Sequence, residues 1–352
     1  MNNTLIQKIG LLSCLFFLFF DVSACRTEKR PVRIISWNVQ TFFDAHTAGT
    51  EYAEFGDKSG LWSIGKYEAR LKRLCAFMRE NPADIYVFEE IENRAVLQDI
   101  ANYNAGFSGA AQKTVTALFA GEKNGSLGIA VISRLPIKKA AVHQIHVQAL
   151  IRPDKKETGK MRQLKAPPLR PLLEIHFENK DDTFILFACH WKSKSGGAQK
   201  SDIWRELQEK LLVQSIAALT EAEKEKALIV CGDFNRALEE FSLCPKDSDK
   251  KNTVALTGAS DTLKLYSAWL TFQSAGKIMV PEKKFEKERG SYYFKGRWEK
   301  IDHFFYNGQV QAKNFFPLDF GAHTDKGGLP LRYNIHTGAG YSDHLPLVFD
   351  FI

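Results

Sequence analysis

An α/β fold of packed β-sheets with helices on their outer faces is what this sequence predicts. Two observations carry the expectation: short apolar runs with strand character recur along the chain, and amphipathic helical stretches are interspersed among them. A third sets the domain count. Across 352 residues there is no internal repeat, no heptad run and no composition break that would mark a second domain.

The first twenty-five residues stand apart. Lys8 precedes the mostly apolar run IGLLSCLFFLFF. As a helix that run rises only ~18 Å, short of a bilayer core of roughly 30 Å, so it reads as the apolar region of a signal peptide. Val22-Ser23-Ala24-Cys25 resembles a bacterial lipobox, with an ordinary cleavage site after Ala24 as the alternative. The expectation is a signal peptide over 1–24, lipidated Cys25, and a domain over 26–352 tethered to a membrane in the cell envelope.

The elements then follow in order. VRIISW from Val32 reads as an inner strand. From Lys66 to Glu80, Tyr67, Leu71, Leu74, Cys75 and Met78 recur at helical spacing. DIYVFEEIEN from Asp84 is a strand running into charge. GIAVIS from Gly128, PLLEIHF from Pro171, FILFACHW from Phe184 and ALIVCGDFN from Ala227 are further short strands, and Leu345 opens the last. Ile203, Leu207 and Leu211 mark a second amphipathic helix. Residues 152–170, with seven Lys/Arg against two acids, and residues 281–290 read as solvated surface loops.

The charge is a modest basic excess of +7. Removing residues 1–24 deletes Lys8 and Asp21 and leaves it unchanged. Such a balance suits polyanionic partners, nucleic acid or phospholipid head groups, without choosing between them. Cys75, Cys189, Cys231 and Cys244 show no CxxC spacing, which argues against a zinc site. Cys189 and Cys231 lie in apolar runs and read as small buried hydrophobes.

The chemistry gathers where apolar runs end. Asn38, Glu89 and Glu90, His190, Asp233 and Asn235, Asp302, and Asp343 with His344 each stand at such an end. One polar residue at a strand end merely meets water. Brought together by a sheet, these would form a cluster of carboxylates, imidazoles and carboxamides. Carboxylates so gathered repel one another unless protons or a cation intervene. Oxygen-rich donors without cysteine suit a hard ion, Mg²⁺ or Mn²⁺.

Taken in order, SWNVQTF, DIYVFEEIEN, GIAVISRLPI, RPLLEIHF, ACHWKSK, VCGDFN, KIDHFFY and YSDHLPL resemble the ordered motifs of the endonuclease/exonuclease/phosphatase family, from Ser36 to Leu347. The resemblance implies a deoxyribonuclease I-like four-layer sandwich: two mixed β-sheets face to face, helices outside, and a metal site at one end. It implies that Glu90, with Asn38 and Asp343, serves a Mg²⁺ or Mn²⁺ ion. It gives His190, Asp233, Asn235, Asp302 and His344 catalytic roles. Asp233 activates the attacking water, His190 donates to a phosphate oxygen, Asn235 holds the phosphate, and Asp302 holds His344. The general base stays open between Asp233 and the Asp302–His344 dyad. Glu89 departs from the family's usual Gln, so it either adds an acid beside the metal or points elsewhere.

Similarity to extracellular bacterial nucleases, through HWKSKSGG, implies Arg170, Lys192 and Lys194 as phosphate contacts. Trp298, Tyr292 and Tyr293 would stack on bases or simply pack. The expected substrate is nucleic acid, DNA before RNA, and the expected protein a monomer. The alternatives are a sphingomyelinase-like lipid head-group or small-molecule phosphodiesterase or phosphatase, and a non-catalytic surface-binding lipoprotein.

Overall fold

A computed structural model describes residues 30–105, 115–122, 125–147, 149–153, 161–179, 182–244, 252–274 and 289–352. The expected signal peptide, Cys25 and most of the 281–290 segment lie outside them. All the strands expected from the sequence form. They divide into two mixed sheets within the Pro31–Ile352 unit. The first has the order Ala312–Pro317, Leu347–Phe351, Val32–Phe42, Ile85–Ile91, Gly128–Ser133, Thr116–Ala120. The second runs Ser242–Leu243, Thr253–Thr257, Thr262–Ser267, Asp302–Tyr306, Ala227–Asp233, Asp182–His190, Leu172–Asn179, Ile137–His143.

Among the registered strands each sheet has one parallel pair: Val32–Phe42 with Ile85–Ile91, and Asp182–His190 with Ala227–Asp233. A parallel pair needs a crossover, and helices supply both: Ile64–Glu80 and Ala198–Ala217. The result is a helix–sheet–sheet–helix sandwich, as the sequence predicted. Alternation along the strands accounts for the layers. Ile34, Ile85, Val87, Ile129 and Val131 face the second sheet and share one buried cluster with Ile175, Phe187 and Ile229. Their neighbours Ile35, Trp37, Tyr86 and Phe88 face outward onto Leu71, Leu74, Met78 and Ile100 of the covering helices.

Two expectations need correction. Ile203, Leu207 and Leu211 are only half-buried. The buried stripe of Ala198–Ala217 is Trp204, Arg205, Gln208, Glu209, Leu212, Val213 and Ile216. Ser201 and Ser215 are buried on the same helix, and Arg205, Gln208 and Glu209 sit in that stripe because they bond backbone and side chains beneath it, so apolar periodicity alone misplaces the face. The basic 152–170 stretch is not all loop either. Ala149–Pro153 and Met161–Lys165 pair as an antiparallel ribbon. Residues 154–160 of that stretch lie outside the described residues.

Candidate active site

Strand register builds the site. Asp233 stands opposite His190 on one neighbouring strand and opposite Asp302 on the other, so three functional residues form one row across the sheet. Residues in one row project to the same side. Gly232 permits this close pairing, for a Cβ there would lie 1.9 Å from the Cys189 carbonyl oxygen. On the facing sheet Asn38 ends the regular pairing. The chain then turns through Gln40 (φ 52) and Thr41 (φ 48), and Glu90 takes φ 67 on the neighbouring strand. Non-glycine residues in this region are strained and need support from their surroundings.

Arg70 gives part of that support. Its guanidinium, on the buried stripe of Ile64–Glu80, donates to the carbonyls of Thr41 (2.8 Å), Val39 (2.7 Å) and Gln40. It lies over the Tyr333 ring at 3.9 Å. The turn it holds in place delivers the Gln40 N–H to Asn38 Oδ1 (2.9 Å) and the Thr41 N–H to Glu90 Oε2 (2.5 Å).

The two sheets meet through Asn38. Its amide donates to Asp233 Oδ2 at 3.0 Å and Glu90 Oε1 at 3.3 Å. His190 Nε2 lies 3.7 Å from Asp233 Oδ2 and 3.9 Å from Glu90 Oε1. Asp302 Oδ2 accepts from His344 Nδ1 at 2.9 Å. Ligand-type atoms of Asp233, Asp302 and His344 all lie within 4.8 Å of one another, and all three residues are buried. His344 is fixed further by its N–H to Ser342 Oγ (3.0 Å) and its carbonyl to Trp37 Nε1 (2.9 Å).

Burial and charge set the protonation states. Burial pushes the Asp233 carboxyl up to about 7, helped by repulsion from Asp302 and opposed by His344, the Asn235 amide and Asn38. His190 is held well below the usual imidazole range, first by burial and then by Arg170, His344 and Lys192. His344 goes the other way. Burial alone would lower it, but the charge and hydrogen bond of Asp302, with Asp233 and Asp343 adding, raise it well above that range.

Every catalytic and metal residue named from the sequence lies within the described residues. One route differs from expectation. Asn235 is not two steps along an extended strand; it takes φ 47 past the strand end. Its backbone N–H bonds Asp233 Oδ1 (2.8 Å) and its side chain bonds Asp233 Oδ2 (3.0 Å) and the Trp191 carbonyl (3.1 Å). A turn closed by Asp233, not strand alternation, brings the pair together. Glu89 lies near enough to Asp302 and Asp233 to feel their charge. It is fully buried, accepts from Ser36 Oγ (2.9 Å), and burial with Asp302 raises its carboxyl well above the ordinary range.

Arg170 lines a cavity of about 220 Å³ with Tyr52, Glu122, Leu127, Pro168 and Lys192. Gln208 ties it to the site by donating to the carbonyls of both Arg170 and His190 at 3.3 Å. Lys194 instead pairs with Glu240 at 2.6 Å and Glu299 at 3.8 Å. Asp343 lies 4.0 Å from His344 Nε2 and 3.7 Å from Arg332. Tyr292 pairs with His344 as an isolated bridge, its ring centre 4.6 Å from the imidazole. Sequence reading missed Arg70, Gln208, Ser342 and Arg332. Arg70 left a signal: it stands one helical turn from Tyr67 on the apolar stripe.

A profile of the Endonuclease/Exonuclease/phosphatase family matches residues 35–344. The chain belongs to that family. Family membership and the buried Asp233–Asp302–His344 group identify it as a metal-dependent phosphoesterase. D. rerio TDP2 complexed with single-strand DNA product is similar in structure (TM-score 0.51, 15% identity, 92% of this chain and 99% of that one). So is the human Nocturnin catalytic domain (0.51, 18%, 92% and 94%). So is a Bacteroides thetaiotaomicron mannosyl-6-phosphatase (0.51, 16%, 91% and 99%). At these identities the likeness shows the fold. No characterised protein matched in the comparison of sequences.

The site fits the hard cation such a phosphoesterase uses. Its donors are carboxylate and carboxamide oxygens with an imidazole and no thiolate, and its buried carboxylates repel one another. A Mg²⁺ or Mn²⁺ ion answers both conditions.

Proposed function

We propose that this phosphoesterase hydrolyses nucleic acid, DNA before RNA, as an endonuclease. The observation that carries the reading is the Arg170–Lys192 pair beside His190. Both cations act on that imidazole, and they line the same cavity. Two cations next to the reacting centre suit a substrate with more than one phosphate. Tyr292, and Tyr293 tilted against Trp298, form a short aromatic hairpin on the His344 side, where bases can stack. TDP2, a fold neighbour, carries a single-strand DNA product. The sequence likeness to extracellular bacterial nucleases points the same way.

Water attacks phosphorus in line with the leaving oxygen. As the new P–O bond forms, the Asp233 carboxylate takes the water's proton; the bond to the leaving oxygen breaks and that oxygen takes a proton from the His344 imidazolium, giving a phosphomonoester and an alcohol. Asn38 and Asn235 orient that carboxylate. Neutral His190 presents an N–H toward charge growing on a non-bridging oxygen. The raised His344, bonded to Asp302, supports a donor role for it and favours Asp233 as the general base. Glu90, Asn38 and Asp343, beside the buried Asp233–Asp302–His344 group, are assigned to the cation. When bound, the cation supplies Lewis-acid stabilisation of the phosphoryl charge.

The second reading is a phosphatase for a small ester or lipid head group, favoured by the mannosyl-6-phosphatase neighbour of equal TM-score. We further propose an exported monomer anchored through lipidated Cys25. The test is a parallel assay with Mg²⁺ or Mn²⁺ on supercoiled plasmid, single-stranded DNA, RNA, sphingomyelin and phosphomonoesters, with EDTA controls. Metal-dependent nicking that falls steeply with salt is expected. Turnover of a phosphomonoester with intact plasmid would replace the nuclease reading. Labelled palmitate should enter the wild type and not Cys25→Ala; equal labelling removes the anchor.

A further inference from the structure

Arg332 stands at the far rim of the site from Arg170. Its backbone is fixed. Leu331 donates its N–H to the His323 carbonyl, Tyr341 its N–H to the Leu331 carbonyl, and Tyr333 its N–H to Gln40 Oε1 at 3.0 Å. Gly340, at φ 90, packs so tightly that a Cβ there would lie 2.1 Å from the Arg332 carbonyl oxygen. The side chain, by contrast, is 61% exposed, and its charged neighbour is Asp343 at 3.7 Å. A pair of that length with so exposed a cation contributes little to stability, so pairing alone does not explain a cation mounted on so rigid a loop.

The order of groups across the site gives it a role. Gln208 joins Arg170 to His190. Register sets His190 beside Asp233 and Asp233 beside Asp302. Asp302 bonds His344, His344 neighbours Asp343, and Asp343 neighbours Arg332. The reacting groups thus stand in the middle of a chain of contacts with an arginine at each end. Neighbouring strands lie ~4.8 Å apart, so the row from Leu172–Asn179, which Arg170 precedes, to Asp302 alone spans about 14 Å. A single phosphate engaged at the centre leaves at least one end unused. A chain with phosphates on both sides of the scissile one meets both.

We propose that Arg332 binds the phosphate next to the scissile one, on the side opposite Arg170, so that the site selects internal linkages of a phosphodiester chain over terminal phosphates. The inference rests on the nucleic-acid reading above. It is tested with end-labelled DNA strands in which single phosphates are replaced, one position at a time, by neutral methylphosphonates. The full chain is assayed with Mg²⁺ as wild type, Arg332→Gln and Arg332→Lys. For wild type, neutralising either neighbour of a linkage should slow its cleavage about tenfold, the worth of one charge-assisted hydrogen bond. Arg332→Gln should lose about tenfold on the unmodified strand and become indifferent to one neighbour while staying sensitive to the other. Its plot of log(kcat/KM) against log[salt] should be shallower by about one, recovering in Arg332→Lys. A merely structural role moves neither the neighbour dependence nor the salt slope. Arg332→Gln that remains sensitive to both neighbours overturns the inference alone. A wild type that cuts no strand overturns the nucleic-acid reading and the inference with it.

Discussion

His190 and His344 share one buried site, yet their charge states diverge. His190 meets cations and burial, and stays neutral. His344 meets three carboxylates, and holds its proton. In the proposed mechanism one imidazole is a neutral N–H donor and the other a cationic one, with Asp233 as the acceptor. His344→Ala and Asp233→Ala should each lower the hydrolysis rate about 10²–10⁴-fold with the circular dichroism spectrum unchanged; turnover like that of wild type would remove the residue from the mechanism. Glu89 supplies a test of the opposite kind. Its raised carboxyl keeps a proton in the folded chain that the unfolded chain gives up above ~4.3. Its contribution to stability therefore falls as pH rises through the range between those values. Glu89→Gln removes that loss, so in EDTA at pH 8 the variant should melt at a higher temperature than wild type while the two converge toward pH 4. A variant that melts lower at pH 8 would mean that Glu89 is ionised and paired in the folded state.

At the scale of elements, the site depends on a turn that breaks strand geometry. Val32–Phe42 is apolar and regular up to Asn38; the left-handed Gln40 and Thr41 then swing two backbone N–H groups onto Asn38 and Glu90. Nothing in a β-rich run announces such a turn, because its cause lies thirty residues away in the Arg70 guanidinium. Arg70→Met keeps the apolar stem and strands three carbonyls. Each buried unsatisfied group costs about 1–3 kcal/mol, so a loss of about 3–5 kcal/mol is expected by denaturant titration. The Mg²⁺ concentration for half-maximal activity should also rise at least about tenfold, because the turn orients Glu90. Unchanged Mg²⁺ dependence in a destabilised variant would confine Arg70 to folding. Ala198–Ala217 follows the same logic: Gln208 and Arg205 are buried because they bond Lys192, Arg170 and His190 backbone, so its polar residues are where its packing is most specific.

For the whole molecule, the sandwich and the row of reacting groups were legible because each strand is an apolar run that ends in its functional residue. A parallel sheet pair buried on both faces writes itself as continuous hydrophobicity, and the change to polarity marks the sheet's edge. What was not legible was long-range: the face of Ala198–Ala217, the direction of Glu89, the ion-paired Lys194, and Arg332, whose importance comes from a rigid loop and not from a motif. His303 belongs with these. In sequence it is the residue after Asp302, yet alternation turns it away from the site into a nest of Phe234, Phe241 and Phe305, where it bonds the Arg236 carbonyl at 2.9 Å. Burial pushes it down to about 4, with the Arg236 carbonyl and Asp302 opposing and Lys300 adding to the drop. The unfolded imidazole titrates near 6.5, so between those values the unfolded chain binds the extra proton and stability falls as the pH falls. From pH 7 to pH 5 this one group should cost about 2 kcal/mol. In His303→Phe the ring keeps its aromatic neighbours, the Arg236 carbonyl loses its donor, and the protein should be weaker at pH 7 by about 1 kcal/mol. Its denaturation midpoint should nevertheless decline less between pH 7 and pH 5 than that of wild type. Parallel declines in the two proteins would show that His303 is already protonated in the fold, and that the acid sensitivity arises at the carboxylates of the site.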